Sequence, residues 1–256
     1  MVPFKVGVQL EPQHCSVDDL RAAWRAADDL GVDSIFTWDH FFPLHGDPDG
    51  AHYEGWSLLG AMACDTSRAS IGLLVGCTSY RSPDLTADMA RTLDHVSGGR
   101  LILGIGAGWF ERDYDEYGFA FGTPPSRLRA LEADILRMRA RLARLNPRPR
   151  GPLPLMIGGG GERVTLRLTA QHADMWNGFG PLDTFVHKNG VLNDWCRSFG
   201  RDPEAIERTV LLNPGRDLHI LDAFVEAGAR HLIVPIGAPF DLGPVERVLG
   251  SREAGR

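Results

Sequence analysis

Asp39 and His40 stand side by side in Thr37-Trp38-Asp39-His40-Phe41, at the end of an apolar run. An imidazole titrates near neutral pH and an adjacent carboxylate can set its tautomer, so the pair is a candidate proton carrier with its orienting partner. The plainer alternative is an Asp39 that caps a turn, with His40 hydrogen-bonded to it. Glycine is the second unusual feature. Gly104-Ile105-Gly106-Ala107-Gly108-Trp109 carries glycine at alternate positions, where a purely structural barrel strand prefers branched side chains. Side chains removed from one face make room for a flat ligand, which Trp109 can wall or stack against. Gly158-Gly159-Gly160-Gly161 is costly in entropy unless the backbone path demands it. Its N–H groups, continued into a helix N-terminus, form a phosphate cradle, with a tight turn as the structural alternative. In Leu74-Val75-Gly76-Cys77, Gly76 permits close backbone approach to a ligand, whereas Cys77 reads equally well as a small buried side chain.

Several chemistries are disfavoured by the same residues. The glycines before Trp109 lack the G-x-G-x-x-G spacing and fall on the fourth strand, against an opening dinucleotide-binding unit. No lysine follows Gly161 in the manner of a nucleotide triphosphatase loop. His14, His40, His45 and His52 do not form a compact ligand trio on any predicted element, so no metal site is expected. Cys15, Cys64, Cys77 and Cys196 include no close pair, which argues against a disulfide framework and for a reducing cytoplasm. The 27 basic and 33 acidic side chains leave a net charge of −6 with dispersed arginines, so nucleic acid is not an expected partner. No apolar run approaches the roughly 20 residues that span a bilayer, and MVPFKVGVQL has no export-signal pattern.

The elements that must position these residues alternate between β-branched runs and segments of helical period. Strands are predicted at Phe4–Leu10, Asp33–Trp38, Ala69–Gly76, Arg100–Ala107, Leu155–Ile157, Asp174–Trp176, Glu207–Leu212 and His231–Ile236. Helices are predicted from near Ser16 to Leu30, Glu54–Cys64, within Pro83–Val96, around Arg127–Leu145, after Gly161, Leu182–Phe199, Asp217–Ala227 and Pro244–Leu249. Eight strands, each followed by a helical segment, predict an α/β fold: a single (β/α)8 barrel domain spanning residues 1–256, with its chemistry at the C-terminal strand ends.

Four segments together resemble the luciferase-like barrel family of flavin- and deazaflavin-dependent oxidoreductases, in particular members using coenzyme F420. They are TWDHF at Thr37–Phe41, CTSYRSP at Cys77–Pro83, MARTLDHVSGGRLILGIGAGWFERDYDEYG at Met89–Gly118 and IGGGGERVTLRLTAQHADMWN at Ile157–Asn177. The resemblance implies a deazaisoalloxazine or isoalloxazine ring over the strand ends, supported by a bulge, often a non-proline cis peptide, near Leu73–Gly76. It implies that Asp39 and His40 lie beside the reacting ring, and that Leu74, Val75, Gly76, Ala107, Gly108 and Trp109 contact the cofactor. Gly158, Gly159, Gly160 and Gly161 correspond to the phosphate site. A sugar-dehydrogenating relative has a catalytic glutamate where this chain has Trp109, so that activity is not carried over.

The expected function is F420-dependent hydride transfer to or from a small organic substrate, with Asp39 setting the tautomer of His40. FMN-dependent monooxygenation and a non-catalytic cofactor-binding barrel are the alternatives. The resemblance further implies a homodimer, to which Leu58, Leu59 and Met62 are candidate contributors beside their role in attaching a helix to the sheet. Relatives carry a few dozen residues between the fourth helix and the stretch Asn146–Pro149, near the substrate entrance; here Arg141–Leu145 runs almost directly into it.

Overall fold

Val6, Val8 and Leu10 alternate with Gly7 and Gln9 along the first strand, so one side is wholly apolar and the other small or polar. In the computed structural model, which describes residues 3–254, the apolar side meets the helices and the other side lines a barrel. The strands are β1 (Lys5–Leu10), β2 (Ser34–Thr37), β3 (Ser70–Leu73, resumed at Gly76–Cys77), β4 (Leu101–Gly106), β5 (Leu155–Gly158), β6 (Met175–Phe179), β7 (Glu207–Leu211) and β8 (His231–Ile236). All pairings among them are parallel, and β1 pairs with both β2 (Val8 opposite Ile35) and β8 (Val8 opposite Val234). β3 pairs with both β2 and β4, which closes the ring and leaves no sheet edge.

The helices are α1 (Val17–Leu30), α2 (Gly55–Asp65), α3 (Pro83–Val96), α4 (Glu111–Tyr117), α5 (Pro124–Leu142), α6 (Thr165–His172), α7 (Leu182–Ser198), α8 (Pro214–Asp217), α9 (Leu221–Glu226) and α10 (Gly243–Ala254). α1 forms as its sequence dictates. Ser16 and Asp19 make a reciprocal capping box, Leu20, Ala23, Trp24 and Ala27 are buried, and Gly31 ends the helix at a φ of 93°.

Three boundaries differ from the sequence reading. β3 is interrupted at Leu74 and Val75, whose peptide bond is cis, within the predicted window. The seven-residue α4 was not anticipated, since ERDYDEY has too few apolar residues to show a helical stripe. The predicted helix over Asp217–Ala227 is two pieces, because the Asn213 side chain caps a first turn at Gly215 and the buried Asp217 turns back to accept from the Asn213 N–H.

Inside the barrel, Phe36, Ile102, Met156, Met175 and Ile233 form an apolar plug, with Leu74 and Val75 against it. Below the plug the ring narrows: a Cβ on Gly7 would lie 2.4 Å from Ser34 Oγ, so only glycine fits there. Leu58, Leu59 and Met62 are buried in the chain's own core, the helix-attaching role given to them beside the dimer one. Among the described residues no helix is long and apolar enough to cross a membrane.

Candidate active site

A cavity of about 770 Å³ opens at the C-terminal ends of the strands. Its wall brings together the candidate catalytic and cofactor-binding residues Asp39, His40, Leu74, Val75, Gly76, Ala107, Gly108, Trp109 and Gly158 to Gly161. That volume lies in the ordinary range for a ligand pocket.

Its floor is the break in β3. Gln9, buried on β1, donates from Nε2 to the Leu74 carbonyl at 2.8 Å and fixes the bulge from beneath. The glycines of β4 explain how the bulge fits. A Cβ on Gly104 would lie 2.0 Å from the Leu73 carbonyl oxygen, and one on Gly106 or Gly158 would lie 2.9 Å from Val75 Cγ2. This corrects the reading of Gly104 as space for a flat ligand: it admits the neighbouring bulge, whose Val75 stands over Gly106 as part of the floor, while Gly106 and Gly108 line the cavity. Gly108, at a φ of 76°, is held against Tyr114, whose hydroxyl a Cβ would meet at 2.0 Å.

Asp39 and His40 serve separate networks. Asp39 is buried and accepts two hydrogen bonds from Arg81, at 2.7 and 2.9 Å, and one from the Cys77 N–H at 3.0 Å. Arg81 also reaches Glu54 at 2.6 Å. Burial pushes the Asp39 carboxyl up to about 6, against the downward pull of the Arg81 guanidinium. His40 turns instead to Asp113 on α4, with Nδ1 2.7 Å from Oδ2. Asp113 is fully buried and also accepts from Tyr80 Oη at 2.8 Å and from the Phe41 N–H at 3.0 Å. An ionised carboxylate only accepts, so the His40 proton sits on Nδ1 and Nε2 is the nitrogen that can serve the cavity. The expected pairing of Asp39 with His40 is thereby corrected. Successive residues leaving a strand point to opposite sides, so adjacency in sequence separated the two side chains.

The His40 ring is boxed by Trp38, Trp109 and Phe110, with ring centroids 6.1, 5.7 and 5.5 Å away. Trp109 is 63% exposed at the rim. Burial raises the Cys77 thiol and the Tyr80 phenol above their ordinary values, so both stay neutral near pH 7.

At the glycine run, α6 begins at Thr165 rather than at Gly161, because a turn over residues 162–164 intervenes. Gly159 holds a φ of 117°, and its carbonyl accepts from Trp176 Nε1 at 2.9 Å. Lys188 of α7 lies across Gly160, its Cε 3.6 Å from where a Cβ would stand, and its Nζ pairs with Glu162 at 2.5 Å. The hydrogen bond from Lys188, with another from His187, holds the Glu162 carboxyl below its usual range. Arg163 is exposed.

Arg81, Asp113, Tyr80, Gln9 and Glu11 also build this site and were not singled out from the sequence. Their partners lie far along the chain, as with His40 and Asp113, 73 positions apart, and no local spacing signals such a pairing. Arg81 and Tyr80 fall inside CTSYRSP, the one sequence cue that pointed near them.

A family model described as luciferase-like monooxygenase matches residues 1–214. The phthiodiolone/phenolphthiodiolone dimycocerosates ketoreductase of Mycobacterium tuberculosis is 31% identical, over 86% of this chain and 71% of that protein. Among solved structures, an F420-dependent secondary alcohol dehydrogenase in complex with an F420–acetone adduct superposes with a TM-score of 0.85, over 98% of this chain and 99% of that one, at 16% identity. Riboflavin lyase with modified FMN and riboflavin superposes with a TM-score of 0.80, over 99% of this chain and 92% of that one, at 13% identity. At these identities the two structures speak to the fold.

Proposed function

The chain belongs to the luciferase-like monooxygenase family, and from that premise we propose that it is an F420-dependent oxidoreductase acting on a small organic alcohol or ketone. The observation that carries the reading is the His40–Asp113 pair at the rim of a cavity whose floor is the β3 bulge. The residues suit a flat ring with a phosphate-bearing tail. Val75, on the floor, would give the ring an apolar support, and the side-chain-free run Gly158–Gly161, with Thr165 and Lys188 beside it, would suit the phosphate. The name of the ketoreductase relative and the F420–acetone adduct of the structural neighbour point to the same chemistry.

When bound, the deazaflavin supplies the hydride donor or acceptor. His40 Nε2 holds or delivers the proton at the substrate oxygen, and Asp113 keeps the ring in the tautomer this requires. Asp39 and Arg81 act one step back. Their pairing, together with the bond from the Cys77 N–H, anchors the end of the bulge on which the ring rests. Trp38, Trp109 and Phe110 exclude water from the imidazole. A homodimer and a cytoplasmic location belong to the same reading, the latter because all four cysteines are free.

Titrating the purified protein separately with F420 and with FMN, followed by tryptophan and cofactor fluorescence, tests the assignment. F420 is expected to bind and to exchange hydride with a ketone in a single turnover. Binding of FMN with no binding of F420 would transfer the site to flavin chemistry.

A further inference from the structure

The cavity has two chemically different ends. Thr165 lines the glycine end with its hydroxyl beside Gly161, and Lys188 passes behind it, across Gly160. The His40 end is walled by Trp38, Leu44 and Trp109 and, among the described residues, no lysine or arginine lines any part of the cavity. The carboxylates in the lining are those of Glu11 and Asp39, while Arg127, bonded to the Gly108 carbonyl, stays outside it. Glu11 lines the cavity and is fixed by His45, whose Nε2 lies 2.9 Å from Oε2, and by Gln13. Glu54 and Asp113 are packed behind the wall that Asp39 helps to form, and Arg81 is already engaged by both Asp39 and Glu54. His52, stacked on Trp38, is pushed down to about 4 by burial and adds no positive charge near neutral pH.

Resting on the alcohol and ketone reading above, we infer that the His40 end selects uncharged, apolar substrates and rejects those bearing a carboxylate or phosphate, with Glu11 and Trp109 as the residues that set this choice. An anion there would be stripped of water against tryptophan and leucine and would face a carboxylate with no lysine or arginine in the lining to receive it. An apolar chain in the same place covers Trp109, which is 63% exposed, and removes both surfaces from water. A carbonyl or hydroxyl meets one polar partner, His40 Nε2.

Binding of a matched pair of probes decides the matter without turnover. 2-Hexanone and 5-oxohexanoate share the methyl ketone and differ in a terminal methyl against a carboxylate; each is titrated calorimetrically into the F420-loaded protein. 2-Hexanone is expected to bind at least about tenfold more tightly, the size of one like-charge encounter at a partly desolvated site. Glu11→Gln is expected to narrow that ratio, and Trp109→Ala to weaken 2-hexanone more than 5-oxohexanoate. Equal or tighter binding of 5-oxohexanoate, or a ratio untouched by Glu11→Gln, would overturn the inference. Failure of the underlying reading is separately visible, since F420 itself would then not load.

Discussion

The three hydrogen bonds that converge on Asp113 leave the His40 imidazole one orientation, and Asp39 takes no part in them, so the two acids separate by experiment. His40→Gln is expected to slow single-turnover hydride transfer roughly 10²- to 10⁴-fold, the worth of a positioned proton carrier, with F420 affinity little changed. Asp113→Asn keeps an oxygen within reach of Nδ1 but removes its charge; it is expected to give a smaller loss together with an altered pH–rate profile. An unaltered profile would make Asp113 a packing residue only. Asp39→Asn is expected to behave differently, since its bonds go to Arg81 and the bulge: cofactor affinity falls while the pH profile of the bound complex keeps its shape. At this scale the sequence was a partial guide. It marked His40 and Asp39 through their types, but it paired them wrongly, because the alternation of side chains along a strand sends neighbours apart and brings in a partner from α4.

Strands such as β3 and β8 were legible because their buried runs are dense in valine, isoleucine and leucine, whereas β6, MWNGF, has none of the three. The glycines of β4 interrupt such a run, and their meaning lay between elements. Gly104 and Gly106 are required by the approach of the β3 bulge, a contact invisible within β4 itself. Gly104→Ala would place a methyl group 2.0 Å from the Leu73 carbonyl, a backbone atom that cannot rotate away. The expected cost is about 1–3 kcal/mol of stability by denaturant unfolding, with weakened F420 binding because the floor moves. Gly60 has open space where its Cβ would be, so Gly60→Ala in α2 is expected to leave cofactor affinity unchanged. If Gly104→Ala were equally silent, the fit of bulge against β4 would not be what holds the floor.

Around the closed sheet, the helices are tied to one another by ion pairs whose response to acid can be read from their environments. Asp65, at the end of α2, accepts from Arg21 at 2.8 and 3.0 Å, from Trp24 Nε1 at 2.9 Å and from Arg25 at 2.5 Å, so that one carboxylate joins α1 to α2. The hydrogen bond from Arg21, and then those from Arg25 and Trp24, hold its carboxyl well below the usual range despite its burial. A carboxylate depressed in the folded state contributes stability that is fully present above its unfolded value, near 4, and is lost as pH falls through the folded value. Asp39 carries the opposite sign: raised to about 6 in the fold, it costs stability above that pH and is relieved between about 6 and 4. The Asp65 contribution therefore begins to fade below about pH 4. Both arginines are partly exposed, at 41% and 48%, so solvent screening limits the Asp65 contribution to about 1 kcal/mol. Asp65→Asn is expected to lower the melting temperature at pH 7 by a few degrees and to converge with the parent protein as pH drops toward 2, followed by circular dichroism across the range. A difference that stayed constant down to pH 2 would mean that Asp65 holds α1 and α2 together by its shape and neutral hydrogen bonds, with its charge playing no part.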